Sequence, residues 1–232
     1  MDKLVSFGSA GDTPVVGDWN GAGTAKIGVY SNGTYLIDYN GNYAWDGPTA
    51  DRAAYWSAGA GTDVPVIGDW NGTGTSKIGV YSNGTWMLDY NGNYSWDGSS
   101  TDKLVYWSTI IRPEQPMVGD WNGSGTSKLA VYAGGTWLVD YNGDFTDDSG
   151  DQYTFFGGTG FNPVVGDWNG NGKAKIAVYT AGSWLIDLSG DYLWNGQQDI
   201  STFFGGPGEV PVVGKWALVV GVSTQTITTV QR

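Results

Sequence analysis

The sequence contains no cysteine and no histidine. The first absence removes disulfide frameworks and thiol nucleophiles and leaves the redox compartment open. The second removes the usual general base near neutral pH. Basic residues are also scarce: 11 Lys and Arg stand against 23 Asp and Glu, for a net charge of −12. Such a surface field repels phosphate backbones, so nucleic acid is not an expected partner, whereas cations and neutral polymers are compatible with it. No apolar run reaches the roughly 18 residues that a membrane helix needs. Met1-Asp2-Lys3 leads into no signal-peptide core, so a secreted form is expected to be a trimmed part of a longer precursor. Helix-forming runs are missing as well.

What is present is glycine, 39 residues, and aromatic side chains, 15% of the chain, together with many Asn-Gly pairs. This is the composition of short strands joined by tight turns. One phrase, Pro14-Val15-Val16-Gly17-Asp18-Trp19-Asn20-Gly21, recurs at 65–72, 116–123 and 163–170 and, decayed, as Pro211-Val212-Val213-Gly214-Lys215-Trp216. Its fifth residue falls at Asp18, Asp69, Asp120, Asp167 and Lys215, in steps of 51, 51, 47 and 48 residues. A period of this size marks a propeller or a solenoid.

Each unit predicts four strands, in the first copy 14–19, 26–31, 34–39 and 52–58. Ser31-Asn32-Gly33-Thr34, repeated at 82–85, is a two-residue hairpin signal. The small residue at Gly28, Gly79, Ala130 and Ala177 is expected where neighbouring blades approach closely. Before the first phrase stands only a fourth-strand segment, residues 2–8, which matches 102–108. After the last phrase come two strand-like runs, 217–223 and 226–231, and no fourth. The expectation is an all-β, five-bladed β-propeller of four-stranded antiparallel blades, one domain over residues 1–232. Its blades would lie at about 13–58, 64–109, 115–158, 162–206 and 210–232 plus 2–8, the N-terminal strand completing the C-terminal blade and closing the ring. An open array that closes against a second copy of itself is the alternative.

The stretch from Asp18 through Trp19, Asn20 and Gly21 to Lys26 and Tyr30, with its copies, resembles the FG-GAP or VCBS-like repeat of integrin-type β-propellers, and the resemblance covers nearly the whole chain. It implies a calcium loop reading D-x-N-G-D-G-x-x-D, with oxygen ligands at its first, third, fifth and ninth positions. Here the fifth positions are Ala22, Thr73, Ser124 and Asn171, and the ninth are Lys26, Lys77, Lys128 and Lys175. A hard dication would find too few carboxylates. Each Lys is instead expected to face its Asp where the ion would sit, the alternative being a solvated strand start.

A second loop follows the third strand with the same spacing and oxygen-bearing side chains at each step. Its sets are Asp38, Asn40, Asn42 and Asp46; Asp89, Asn91, Asn93 and Asp97; Asp140, Asn142, Asp144 and Asp148; and Asp187, Ser189, Asp191 and Asn195. Alternate polar side chains on a tight loop turn oxygens inward, so Ca2+ is expected here, best in the most acidic third copy. Plain turn-capping by Asn and Asp is the competing reading.

Most of the 13 Trp recur within predicted strands and are expected to pack blade against blade. Among these, Trp56 and Trp107 are matched by Phe155 and Phe204 in the fourth strands. The pairs Tyr43/Trp45, Tyr94/Trp96 and Tyr192/Trp194 lie within the second loops, beside amides and carboxylates. Flat rings beside such groups suit neutral sugars, and repetition around a ring adds avidity. Rings that merely staple the loop to its blade are the alternative. The function expected is a non-enzymatic, extracellular or cell-surface recognition module that binds glycans, with a structural or adhesive protein contacting surface proteins or itself as the runner-up. An enzyme is the weakest class, since Asp residues that recur from blade to blade suit repeated binding better than one asymmetric carboxylate pair. Asn32, Asn71, Asn83, Asn93 and Asn122 open N-x-Ser/Thr triplets, which Asn-Gly-Thr turns also generate by accident.

Overall fold

The structure, a computed structural model, describes residues 4–59, 61–109, 111 and 113–214. Among the described residues sixteen strands form four sheets, each an antiparallel meander in chain order. The first blade is β1 (Thr13–Gly17), β2 (Lys26–Ser31), β3 (Thr34–Ile37) and β4 (Arg52–Tyr55). The second is β5 (Val64–Gly68), β6 (Lys77–Ser82), β7 (Thr85–Leu88) and β8 (Lys103–Tyr106). The third is β9 (Gln115–Gly119), β10 (Lys128–Ala133), β11 (Thr136–Val139) and β12 (Gln152–Phe155). The fourth is β13 (Asn162–Gly166), β14 (Lys175–Thr180), β15 (Ser183–Ile186) and β16 (Ile200–Phe203). The first strands of successive blades are neighbours, β1 beside β5, β5 beside β9 and β9 beside β13. The protein is therefore a β-propeller of four-stranded antiparallel blades.

The expected five-bladed, closed ring is corrected on two grounds. Among the described residues four blades are built, and no sheet there is closed by strands from both ends. Residues 4–8 belong to no sheet, and Leu4 and Val5 are exposed. A strand persists only where its N–H and C=O groups find a ladder, and these residues have none among the described residues. The fifth phrase is described only as far as Gly214; residues 210–214 are in no strand, and the runs at 217–223 and 226–231 lie outside the described residues.

The hairpin between the second and third strands follows from its sequence. Asn32 and Gly33 have φ of 48° and 83°, and Ala181 and Gly182 have 47° and 95°, the positive pair a two-residue turn requires. Ser31 pairs with Thr34 across it.

The core lies in the seams. One cluster joins Trp19, Tyr35, Ile37 and Trp56 of the first blade to Ile78 and Val80 of the second; two more repeat this between the second and third and between the third and fourth blades. Polar groups register each seam: the Ser76 N–H donates to the Asp18 carbonyl at 2.8 Å and the Ser76 hydroxyl accepts from the Asp18 N–H at 3.0 Å, while the Tyr35 hydroxyl donates to the Gly79 carbonyl at 2.5 Å. The close approach between blades is at the glycine of the recurring phrase. A Cβ on Gly17, Gly68 or Gly119 would fall 2.7–2.8 Å from the Cβ of Ser76, Ser127 or Ala174 in the next blade. Gly28 and Gly79 are crowded within their own blades instead, by Val15 and the Leu36 carbonyl in the first case and by Leu88, Met87 and Val66 in the second. In the third blade the fourth-strand aromatic that enters the seam is Phe156, not Phe155, because the Phe156 N–H makes the bond to Gly135 that Trp56 makes to Gly33.

Candidate functional site

Strand alternation brings two loops of every blade to one face: the first–second strand loop and the third–fourth strand loop. The side-chain amide of Asn20 ties them by donating to the Tyr39 carbonyl at 3.1 Å, and Asn71, Asn122 and Asn169 repeat the tie.

In the first of these loops the ammonium takes the centre. Lys77 Nζ lies 2.8 Å from Asp69 Oδ1 and donates to Thr73 Oγ1 and to the Thr75 carbonyl at 2.7 and 3.0 Å. Lys26, Lys128 and Lys175 repeat the arrangement at 3.3, 2.9 and 3.2 Å from Asp18, Asp120 and Asp167. All four Lys side chains are buried. The expected exchange of an ion for an internal cation is thus present in every described blade. Burial alone would raise the Asp69 carboxyl, but the Lys77 ammonium and the Gly74 N–H outweigh it and hold it below the ordinary carboxylate range. Asp18 and Asp120 follow the same balance. At Asp167 the Gly172 N–H is the largest cause of the lowering, with Lys175 adding to it.

The second loop winds around a buried carboxylate. Asp38 Oδ1 accepts the Gly41 N–H at 2.8 Å and Oδ2 accepts the Tyr43 N–H at 2.9 Å; Asp89 and Asp187 do the same with Gly92 and Tyr94 and with Gly190 and Tyr192. This wrapping accompanies φ of 66–70° at Tyr43, Tyr94 and Tyr192, a region that non-glycine residues seldom adopt and that Phe145 of the third loop shares at 65°. At the far side of the first two loops, Asp46 accepts from the amides of Asn40 and Asn42, and Asp97 from those of Asn91 and Asn93. In the fourth loop Asn195 donates to Asp191, and the Ser189 hydroxyl to Asp187 at 3.1 Å.

In the first, second and fourth loops several of the oxygens expected to ligate calcium accept N–H and O–H donors of their own loop. The third differs. Asp140 Oδ1 accepts the Gly143 N–H at 2.8 Å, but Oδ2 is buried with no hydrogen-bond partner. Burial, with Asp151 and Asp144 nearby, pushes the Asp140 carboxyl up to about 6. Asp144 accepts from the Asn142 amide and Asp148 from the Gly150 N–H, at 2.9 and 2.6 Å. Among the described residues no three acidic, His or Cys side chains converge as a metal-holding group.

A further Asp, which the spacing argument passed over, clamps each loop. Asp51 accepts the Tyr39 N–H at 3.0 Å through Oδ1 and the Asp46 N–H at 2.7 Å through Oδ2, closing the loop across its base. Asp102, Asp151 and Asp199 repeat both bonds. Their signal was an Asp immediately before every fourth strand.

The loop aromatics divide by depth. Tyr94 and Tyr192 turn into the seam and meet Tyr39 and Tyr141 of the preceding blade edge-on, at 6.4 and 6.3 Å. Tyr43 stands on the first blade, which follows no other among the described residues, and is exposed. Trp96 and Trp194 rest against Trp56 and Phe156 of the preceding blade at 5.9 and 6.2 Å, yet keep 39% and 46% of their surface in solvent, and Trp45 keeps 41%. Compared with profiles of known protein families and with curated proteins, the chain matches none.

Proposed function

We propose that the protein is a non-enzymatic, extracellular recognition module whose loop face binds neutral glycans, with Trp45, Trp96 and Trp194 as the stacking platforms. The observation that carries this reading is the matched half-exposure of the three indoles at equivalent places on one face. Each sits beside the Asn and Asp side chains of its loop. A partly bare ring offers a surface to the C–H face of a pyranose, and the neighbouring amide and carboxylate groups match its hydroxyls. Three weak sites on one rigid frame give avidity toward a repeated glycan. Tyr94 and Tyr192, placed in the seams, act here by holding the loops rather than by touching ligand. The platform is missing from the third blade, where Asp147 occupies the place of the Trp.

A glycan array probed with the purified chain tests the proposal. One class of neutral glycan is expected to bind, and Trp→Ala at positions 45, 96 and 194 together is expected to abolish binding while leaving the fold intact. The indole platforms need no ion to stack on a sugar face, so a chelator is expected to leave binding unchanged. A blank array, or binding indifferent to the triple substitution, would remove the proposal; concentration-dependent assembly in its place would move the function to protein contacts.

A further inference from the structure

Each described seam carries an aromatic pair on the loop face. Tyr39 meets Tyr94, Tyr90 meets Phe145 and Tyr141 meets Tyr192, all edge-on, with ring centroids 6.3–6.4 Å apart. In the first two seams the leading residue of the fourth strand lays a cation over the pair. The Arg52 guanidinium lies 4.0 Å from the centre of the Tyr39 ring and 6.0 Å from that of Tyr94. The Lys103 ammonium lies 4.8 Å from the centre of the Tyr90 ring and 6.0 Å from that of Phe145. At such distances the negative face of a ring attracts the charge. The same cation–π seat is thus built twice, once with Arg and once with Lys.

The third seam keeps the rings and loses the charge. Gln152 holds the place of Arg52 and Lys103: it pairs with Val139 as Arg52 pairs with Ile37 and Lys103 with Leu88. Its amide is neutral. There a cavity of about 380 Å³ opens on the loop face, walled by Tyr141 and Gln152 of the third blade and by Lys173, Ser189, Asp191 and Tyr192 of the fourth. Tyr141 is half-buried, so part of its ring is open to the cavity, while Tyr192 is buried and backs it.

We infer that the seam between the third and fourth blades binds an organic cation, a guanidinium or ammonium group, over Tyr141, where the other seams place Arg52 and Lys103. The chain's net charge of −12 favours the approach of a cation. Asp191 and the Gln152 carbonyl supply acceptors for its N–H groups. Lys173, which stands where the second and third blades have Thr75 and Thr126, opposes it from the rim and limits the affinity. The cavity lies within the size range of small-molecule sites. The site uses none of the exposed indoles and stands without the glycan reading.

The test is an NMR titration of the full chain with methylguanidinium and methylammonium, with methylurea as a neutral control of matching shape. Both cations are expected to shift the Tyr141 ring and Gln152 side-chain amide signals, and methylurea is not. Gln152→Arg installs the residue of the first blade and is expected to weaken binding about tenfold or more, because the ring face is then covered from within. Arg52→Gln makes the reverse change and is expected to open a second seat, read as new shifts at Tyr39. Lys173→Thr removes the opposing charge and is expected to strengthen binding about threefold. If Gln152→Arg fails to fold, the other two variants still decide. No shift with either cation, equal shifts with methylurea, or an affinity unchanged by Gln152→Arg overturns the site. Binding lost in Lys173→Thr would mean that an anion is held there and overturns the ligand class. The amide of N-acetylarginine, the same cation carried on a peptide unit, separates the sources. Binding tighter than that of methylguanidinium assigns the cation to a polypeptide, weaker binding assigns it to a free small molecule, and either supports the seat. Indole shifts at Trp45, Trp96 or Trp194 report on the glycan platforms separately, so the two readings fail or stand independently.

Discussion

At the scale of single residues, the loop face is governed by where protons and charges are held. Lys77 is 2% exposed and its ammonium is shared among Asp69, Thr73 and Thr75, so its removal leaves a recessed carboxylate without its counter-charge. Lys77→Met is expected to cost roughly 2–4 kcal/mol in urea unfolding, and adding Asp69→Asn should recover part of it. The pH behaviour follows two opposed signs. Asp18, Asp69, Asp120 and Asp167 have lowered carboxyls, so their contribution to stability is present above about pH 4 and is lost on acidification through their folded values. Asp140 is raised to about 6, so its contribution is full below about pH 4 and is lost as the pH rises through 6. Asp140→Asn is therefore expected to flatten a fall in stability between pH 4 and 6.5 that the parent protein shows in chemical denaturation. An unchanged slope would mean that Asp140 titrates in its ordinary range.

At the scale of the element, each blade is a meander whose turn chemistry, strand alternation and seam glycine can be read from one repeat. The recurring phrase carries its glycine for the next blade: a Cβ on Gly68 would fall 2.6 Å from the Trp70 ring and 2.8 Å from Ser127 Cβ. Gly68→Ala is expected to destabilise by roughly 1–3 kcal/mol through overpacking, measured by thermal or urea unfolding. A neutral substitution there would mean that the seam can spread. The Asn-Gly hairpins and the Lys–Asp exchange were legible because each depends on neighbours a few residues apart. The loop at 38–46 was less legible for the same reason: its one, three, five, nine spacing is shared by a cation loop and by a loop wound on its own carboxylate. The N–H groups that wrap Asp38, and the distant clamp at Asp51, cannot be read from that spacing. Tyr94 was ambiguous likewise, since its seam partner, Tyr39, lies a full blade away in the chain.

At the scale of the whole molecule, blades stabilise their neighbours, so position in the array sets local stability. The second and third blades are packed on both sides: β6 and β10 are buried along their full length, and so is β11. The fourth blade repeats the same strands with less cover. In β15 no residue is fully buried, β16 is exposed throughout, and Phe204 holds the place of Trp56 and Trp107 with 79% of its surface in solvent. The repeat count in the sequence concealed this difference, because five copies of a phrase argue for a closed ring in which every blade has two neighbours. Local opening costs least where apolar contact is least, and exchange of backbone amides reads that cost residue by residue. Native-state hydrogen exchange is therefore expected to rank β10 and β11 among the slowest strands and to find β15 and β16 faster by at least tenfold, a difference of about 1.4 kcal/mol in opening free energy. Equal protection across the third and fourth blades would mean that the forward face of the fourth blade, with Phe204, is covered in solution.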